Sequence, residues 1–238
     1  ASVNLNGDLI GTIAGNFTVV STGAGTAQLR LGGSSSTWTT NISGNLNVQG
    51  GRLALIGSGT AGTGSATINV GGDLSISGGL IDFNAGTNAS AAALIVKGNF
   101  SQSGGTIQKS FAATGTLRLD KASGTQTVSQ TAGSITNNIN IAFGSGSSSN
   151  TVQLLTDFNA GTGSGTITAA ALATVDFQTY VLSGSGTFAA STGTTLVTAN
   201  TNGFNTSGSS GSVQTTTRTF TNTGVNYTYN GSSAQVAG

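Results

Sequence analysis

The sequence predicts an all-β fold, a parallel β-solenoid in which short strands coil around one thin hydrophobic core. The first observation is a repeated phrase: GNLNVQGGRL, which starts at Gly44, returns in related form at Gly72 and again at Gly98. The second is that apolar residues alternate within each copy, as they do in strands and not in helices. The third is the repeat length of about 26–29 residues per coil, which is typical of stacked repeat architectures.

Each copy supplies three short strands whose apolar residues form columns when successive copies are stacked. Read down the three copies, the columns are Ile42/Val70/Val96, Leu46/Leu74/Phe100, Val48/Ile76/Gln102, Leu53/Ile81/Ile107 and Leu55/Phe83/Lys109. One copy cannot bury its apolar face alone, so the stack itself creates the core. Because Gln102 and Lys109 stand in apolar columns, we expect the third copy to be bent or bulged there. The usual hand of parallel crossover connections predicts a right-handed β-helix.

Glycine pairs and amide residues mark the corners of the predicted coil. A corner needs a positive φ or a close approach of two backbones, and glycine supplies both without steric cost. The first glycine of each copy is followed by a short polar residue: Asn16, Asn45, Asp73 and Asn99. We expect these residues to form a side-chain ladder with the equivalent residue one coil away.

The whole chain, residues 1–238, is predicted to form one continuous solenoid. Its regular coils span residues 44–111, and a less regular end rich in threonine and aromatic residues spans residues 170–238. Residues 144–150 are rich in glycine and serine, but apolar alternation resumes at Val152, so we interpret them as a long corner loop. The chain starts at Ala1 and contains no methionine. We therefore expect a processed product or an excerpt of a longer protein.

The composition excludes most catalytic chemistry. The chain has no histidine and no cysteine, and its six acidic residues are all aspartates, so it lacks a histidine-based triad and the usual zinc ligands. Charged residues are only 5% and are dispersed, which leaves no basic stripe for nucleic acid. No apolar run is long enough to span a bilayer. The sequence therefore predicts no enzyme, no catalytic residue, no cofactor or metal, no nucleic-acid partner and no membrane-spanning segment.

A few residues remain as candidates for a site. Asp73 is interpreted as a corner residue in place of asparagine, and Asp82, between inward-facing neighbours, as an outward surface charge. Trp38, Tyr227 and Tyr229 are the candidate contacts for a glycan or another partner, because aromatic rings stack on sugars. For Trp38 the sequence favours an aromatic that packs in a corner.

Threonines recur at alternate positions from Thr215 to Thr223. We interpret them as one solvated strand face. Ice binding would require matching ranks of threonine on neighbouring coils, which the regular copies do not carry.

The C-terminal quarter of the chain carries a resemblance to a known group of proteins. Residues 182–188 (LSGSGTF), 214–220 (QTTTRTF) and 229–236 (YNGSSAQV) resemble segments of the large Gly/Ser/Thr/Asn-rich β-helical surface proteins of Bacteroidota-type bacteria. The Gly-Asn-Phe/Leu phrase with its glycine pairs fits the same group. The resemblance implies export by the type IX secretion system and an extracellular position on the bacterial cell surface, as an adhesin or gliding-motility filament. It also implies outer-membrane export and attachment machinery as partners.

These observations predict a structural function. We expect a segment of a secreted, cell-surface adhesin or filament that acts as a non-catalytic rod or spacer. A solenoid terminus is an open sheet edge, so neighbouring segments or copies of the same protein are expected partners end to end, and surface glycans are a further candidate. The alternative is a carbohydrate-binding or polysaccharide-cleaving β-helix, which a cleft with charged groups and aromatic walls would favour.

Overall fold

The computed structural model is all-β, and no helix occurs in the part of the chain that it describes. It describes residues 3–4, 11–23, 27–32, 37–57, 64–86, 89–111, 114–220 and 223–237. The strands, in chain order, are β1 (Val3–Asn4), β2 (Thr12–Ile13), β3 (Phe17–Val19), β4 (Leu29–Gly32), β5 (Trp38–Ile42), β6 (Leu46–Val48), β7 (Arg52–Ile56), β8 (Ser65–Val70), β9 (Leu74–Ile76), β10 (Leu80–Asp82), β11 (Ala91–Val96), β12 (Phe100–Gln108), β13 (Gly115–Leu119), β14 (Ser123–Ile135), β15 (Ile139–Phe143), β16 (Ser149–Leu154), β17 (Phe158–Asn159), β18 (Thr166–Ala169), β19 (Thr174–Asp176), β20 (Leu182–Ala190), β21 (Thr195–Thr198), β22 (Val213–Thr219) and β23 (Asn226–Tyr229).

The strands form two long parallel sheets, which confirms the predicted β-solenoid. One sheet follows the order β1-β4-β7-β10-β12-β14-β16-β19-β21-β23, with β3, β6 and β9 joining it at β12. The other follows β2-β5-β8-β11-β13-β15-β18-β20, with β17 and β22 both paired to β20. Neighbouring strands in each sheet come from successive coils, so the backbone hydrogen bonds run along the axis of the stack.

The strand register reproduces four of the five predicted columns. Ile42 pairs with Val70, which pairs with Val96, and three further columns pair in the same way, as Leu46/Leu74/Phe100, Val48/Ile76/Gln102 and Leu53/Ile81/Ile107. All of these apolar side chains are buried. Phenylalanine rings fill much of the core in the later coils. The ring centroids of Phe100 and Phe158 are 5.9 Å apart, and those of Phe177 and Phe188 are 6.2 Å apart.

The third copy departs from the others as predicted. Its second and third strands fuse into the single strand β12, and the register against β14 shifts on both sides of Ser103, directly after Gln102. Gln102 is buried and polar, and its amide is bonded: Nε2 donates to the carbonyl of Ser134, and Oε1 accepts from Gln130. A buried amide needs such partners, and the bulge supplies them. Lys109 follows the end of β12 and takes no place in the core.

The coil length changes along the stack. In the regular part, corner hydrogen bonds join residues 29, 28 and 26 apart. Beyond them the spacing varies, since Leu117 pairs with Leu94, 23 residues before it, and Val213 pairs with Leu182, 31 residues before it. The predicted 26–29 residues thus describe the regular coils, while the last coil accommodates its additional residues in the segment 199–212 between β21 and β22.

The corners contain the predicted ladder of short polar side chains. The backbone N–H of Asn45 donates to Asn16 Oδ1 over 2.8 Å, that of Asp73 to Asn45 Oδ1 over 2.8 Å, and that of Asn99 to Asp73 Oδ1 over 2.6 Å. The ladder continues when Thr127 N–H donates to Asn99 Oδ1. Asp73 therefore takes the place of a corner asparagine, as the sequence indicated.

Two kinds of glycine are needed at these corners. The second glycine of each pair has a positive φ, for example +71° at Gly79. The first glycine of each copy instead allows close approach: a Cβ at Gly72 would overlap Asn45 Oδ1 of the coil before it. Both uses match the sequence prediction.

Candidate functional site

Trp38 is buried in the core. It lies on β5, with 6% of its surface exposed, and its ring sits against Gly32 of the preceding coil, where a Cβ would overlap the indole. An aromatic ring in this position has no open face for a sugar. The structure therefore gives Trp38 the packing role that the sequence also allowed.

Tyr227 and Tyr229 lie together on β23, the last strand of its sheet. Each is partly exposed, 40% and 37%, and each ring centroid is 5.8 Å from that of Phe204. The Tyr227 hydroxyl donates to the carbonyl of Phe220. Burial raises the pKa of the Tyr227 phenol above its ordinary value, and the neighbouring Tyr229 adds to the effect. The two tyrosines are far along the strand order from Trp38, so the three candidates do not form one site.

The tyrosines are part of an aromatic cluster that closes the C-terminal end of the core. Phe204, from the segment 199–212, packs against Phe177 of the coil below and against Phe220 beside it, with ring centroids 5.6 and 5.8 Å apart. Arg218 fixes the same segment, because its guanidinium donates to the carbonyls of Asn205 and Gly208. This end therefore covers its core with rings while β22 and β23 each pair with one strand only in the described part of the chain.

The threonines of β22 do not form the predicted face. Thr215 is buried and Thr217 is exposed, since a register shift between Gly184 and Thr187 of β20 interrupts the pairing at this point. Thr221 lies outside the described residues.

Asp82 is fully buried, and the prediction of an outward surface charge was wrong. Its carboxylate accepts hydrogen bonds from Arg52 Nη2 over 2.5 Å, from Gln108 Nε2 over 3.2 Å and from the Ser110 hydroxyl over 2.5 Å. The backbone N–H groups of Ser110 and Asn84 donate to its other oxygen, each over 3.1 Å. These groups come from three successive coils, and together they cover a side chain that does face away from the core.

A second ion pair joins Lys97 Nζ to Asp120 Oδ2 over 2.8 Å. Burial acts to raise the pKa of the Asp120 carboxyl, but hydrogen bonds from Lys97 and Ser145 and the charges of Lys97 and Arg118 outweigh it, so the pKa is lowered below its ordinary value. In the described ranges no three His, Cys, Asp or Glu side chains come together as a possible metal site. The Arg52–Asp82 and Lys97–Asp120 pairs thus join residues of neighbouring coils.

A groove on the flank of the solenoid is a further concave feature, and it borders the Asp82 network through Ser110. Its cavity of about 560 Å³ is lined by Lys109, Ser110, Phe111, Asn137, Asn138, Thr162 and Gly163. A smaller cavity of about 120 Å³ adjoins it through Thr162 and adds amide and hydroxyl side chains, among them Gln130 and Asn159. This groove was not predicted from the sequence. The available signal was Lys109, a lysine in a column of apolar residues.

Comparisons with family models, with curated proteins and with solved structures returned no match. The resemblance to type IX secreted surface proteins therefore stays a prediction. Across the described residues, no helix has the length and hydrophobicity needed to cross a membrane.

Proposed function

We propose that this chain is a structural segment, a stiff rod or spacer, of a secreted adhesin or filament on a bacterial cell surface. The observation that supports it is the unbroken parallel pairing of successive coils, from β1 to β23 in one sheet and from β2 to β22 in the other. Each coil adds a layer of backbone hydrogen bonds along the axis, and a continuous core fills the centre. Such a stack resists bending and sets a fixed length.

The surface chemistry suits a spacer that avoids unspecific contacts. Charged residues are 5% of the chain, and the net charge is +1. Four of the charged side chains neutralise one another in the ion pairs Arg52–Asp82 and Lys97–Asp120. A nearly neutral surface of hydroxyl and amide groups has little long-range attraction for nucleic acid or anionic lipid. We propose that specific contacts are made at the ends of the rod.

End-to-end association with a neighbouring segment or copy is the contact that the open edges favour. Hydrogen bonds from Asn226 N–H and Asn230 N–H to the carbonyls of Thr194 and Thr198 fix which side of β23 faces β21. The N–H groups of Tyr227 and Tyr229 alternate with these and point to the other edge. Within the described ranges no second strand pairs with β23, and an unpaired edge is a template for another strand.

The test is electron microscopy of the protein as isolated, combined with sedimentation velocity over a range of concentrations. We expect end-to-end oligomers or fibres with an axial repeat of about 4.8 Å, and Thr228→Lys, which places a charge on the edge strand, should shorten them. Ser103→Lys, an exposed residue on a strand with neighbours on both sides, is the matched control. Particles that stay monomeric at every concentration would contradict end-to-end assembly.

Localisation and export are part of the same proposal and rest on the sequence resemblance. If the parent protein is a type IX substrate, deletion of that secretion system in the producing bacterium should retain it inside the cell. Immunogold labelling of intact cells separates surface display from retention.

A further inference from the structure

We propose that the groove between residues 109 and 163 binds an uncharged saccharide chain, lying along the axis of the solenoid. This role goes beyond that of a rod and does not depend on it. It also differs from the aromatic contacts expected from the sequence, since Trp38 is buried and Tyr227 lies at the end of the stack.

The groove crosses three successive coils. Asn137 Nδ2 donates to the carbonyl of Lys109, 28 residues earlier, and Asn138 Oδ1 accepts from the N–H of Ser164, 26 residues later. Adjacent coils are about 4.8 Å apart, so the lining extends over about 10 Å along the axis. The adjoining cavity beside Thr162 lengthens it. An elongated ligand fits this shape better than a compact one.

The lining has the chemistry that recognises sugar hydroxyls. Amide side chains and hydroxyls both donate and accept hydrogen bonds, as the hydroxyl groups of a sugar do. Phe111, 40% exposed, supplies an apolar ring beside them, and binding sites typically combine such a ring with a few placed polar groups. Lys109 is the one charged side chain among the seven lining residues, so hydrogen bonding and stacking dominate over charge attraction.

The polar lining is fixed before any ligand arrives. Asn137 and Asn138 have φ values of 59° and 58°, in the left-handed region that non-glycine residues rarely adopt. Contacts to the coils on either side hold them there, including Asn138 N–H to the carbonyl of Thr162 over 3.2 Å. A site whose polar groups are already ordered loses less entropy on binding.

The groove is suited to binding and not to cleavage. None of its lining residues is a carboxylate. Asp82 lies behind Ser110, whose hydroxyl donates to it, and its charge is paired with Arg52. Glycoside hydrolysis ordinarily needs two carboxyl groups that flank the scissile bond, and the groove supplies neither.

The test is a glycan array probed with the full chain, followed by titration of the strongest neutral oligosaccharide. Phe111→Ala should weaken binding at least 10-fold. Asn137→Gly should do the same, because glycine keeps the left-handed backbone and removes only the amide. Tyr229→Ala, another partly exposed aromatic but outside the groove, is the matched control and should bind normally. Circular dichroism of each variant tests whether it keeps its fold.

Two further results would overturn the proposal. One is that the wild-type chain binds none of the neutral glycans, or that it binds only acidic glycans and with a strong salt dependence. The other is retention of binding in both groove variants, or an equal loss in Tyr229→Ala. Sedimentation velocity of Phe111→Ala reports separately on the rod: assembly should be unchanged, so failure of the groove and failure of end-to-end association can be told apart.

Discussion

The buried carboxylate of Asp82 gives the sharpest test of how the coils are joined. Asp82→Asn keeps the size of the side chain and one acceptor oxygen, but it removes the charge and places an NH₂ group at one of the two oxygen positions. If that group takes the place of Oδ2, it faces donors from two other coils, Arg52 Nη2 at 2.5 Å and Gln108 Nε2 at 3.2 Å. Only the Ser110 hydroxyl can turn and accept instead. The substitution therefore breaks contacts between three coils at once.

The expected cost follows from the burial of the two partners. Removal of one member of a buried ion pair typically destabilises a protein by about 3–5 kcal/mol. The Asp82 side chain is 0% exposed and that of Arg52 is 22% exposed, so Arg52 can regain part of its hydration. We therefore expect a loss of about 3 kcal/mol in the free energy of unfolding. Arg52→Met and the double variant complete a cycle, and the two single losses should not add.

Urea unfolding provides the assay, with the fluorescence of the single tryptophan as a local probe. Trp38 lies on β5, in the same coil as Arg52 of β7, and circular dichroism follows the whole stack. Asp157→Asn is the matched control, since Asp157 is exposed and its Oδ1 accepts one backbone hydrogen bond, from Val181. It should cost less than about 0.5 kcal/mol. Equal losses in the two variants would refute the network around Asp82.

Three further predictions concern a corner, an ion pair and a phenol. Gly79→Ala should lower the free energy of unfolding in urea by about 3 kcal/mol, because its Cβ would lie 2.6 Å from the backbone of the preceding coil. The control is Gly124→Ala, which has a similar φ but lies in open space and should lose only about 1 kcal/mol. Equal losses in the two variants would exclude tight stacking at Gly79. The lowered pKa of Asp120 means that its pairing with Lys97 stabilises the fold above pH 3.8 and is lost as pH falls through the lowered value. Lys97→Met should thus reduce stability, by up to about 1 kcal/mol, near neutral pH and not in strong acid. The raised pKa of Tyr227 means that its neutral phenol stabilises the fold, and that this stabilisation is lost as pH rises above 10.0. The absorbance of tyrosinate should show one phenol that titrates late, and Tyr227→Phe should remove it. A titration curve that Tyr227→Phe leaves unchanged would contradict the burial of this phenol.

The regular coils could be predicted because equivalent residues in them share chemistry. Leu46, Leu74 and Phe100 occupy one column, and the glycine and amide at each corner recur with them, so sequence spacing alone gives the register. The bulge after Gln102 could also be predicted from the sequence, since a polar side chain in an apolar column has to leave the column or find hydrogen-bond partners.

The environment of Asp82 and the groove could not be predicted in the same way. Alternation correctly placed Asp82 on the outer side of its strand, but its burial depends on Arg52 and Ser110, 30 and 28 residues away. Their side chains reach across coils in directions that periodicity does not specify. The groove likewise depends on left-handed backbone at Asn137 and Asn138, where nothing distinguishes these asparagines from many others in the chain.

The corner ladder gives the stack a direction. At each step the side-chain oxygen belongs to the coil that comes first in the chain, and the N–H that fills it belongs to the coil that follows, from Asn16 to Thr127. A coil that has already folded thus presents a fixed acceptor to the next stretch of chain. A chain that emerges amino terminus first would therefore meet such an acceptor as each new coil forms.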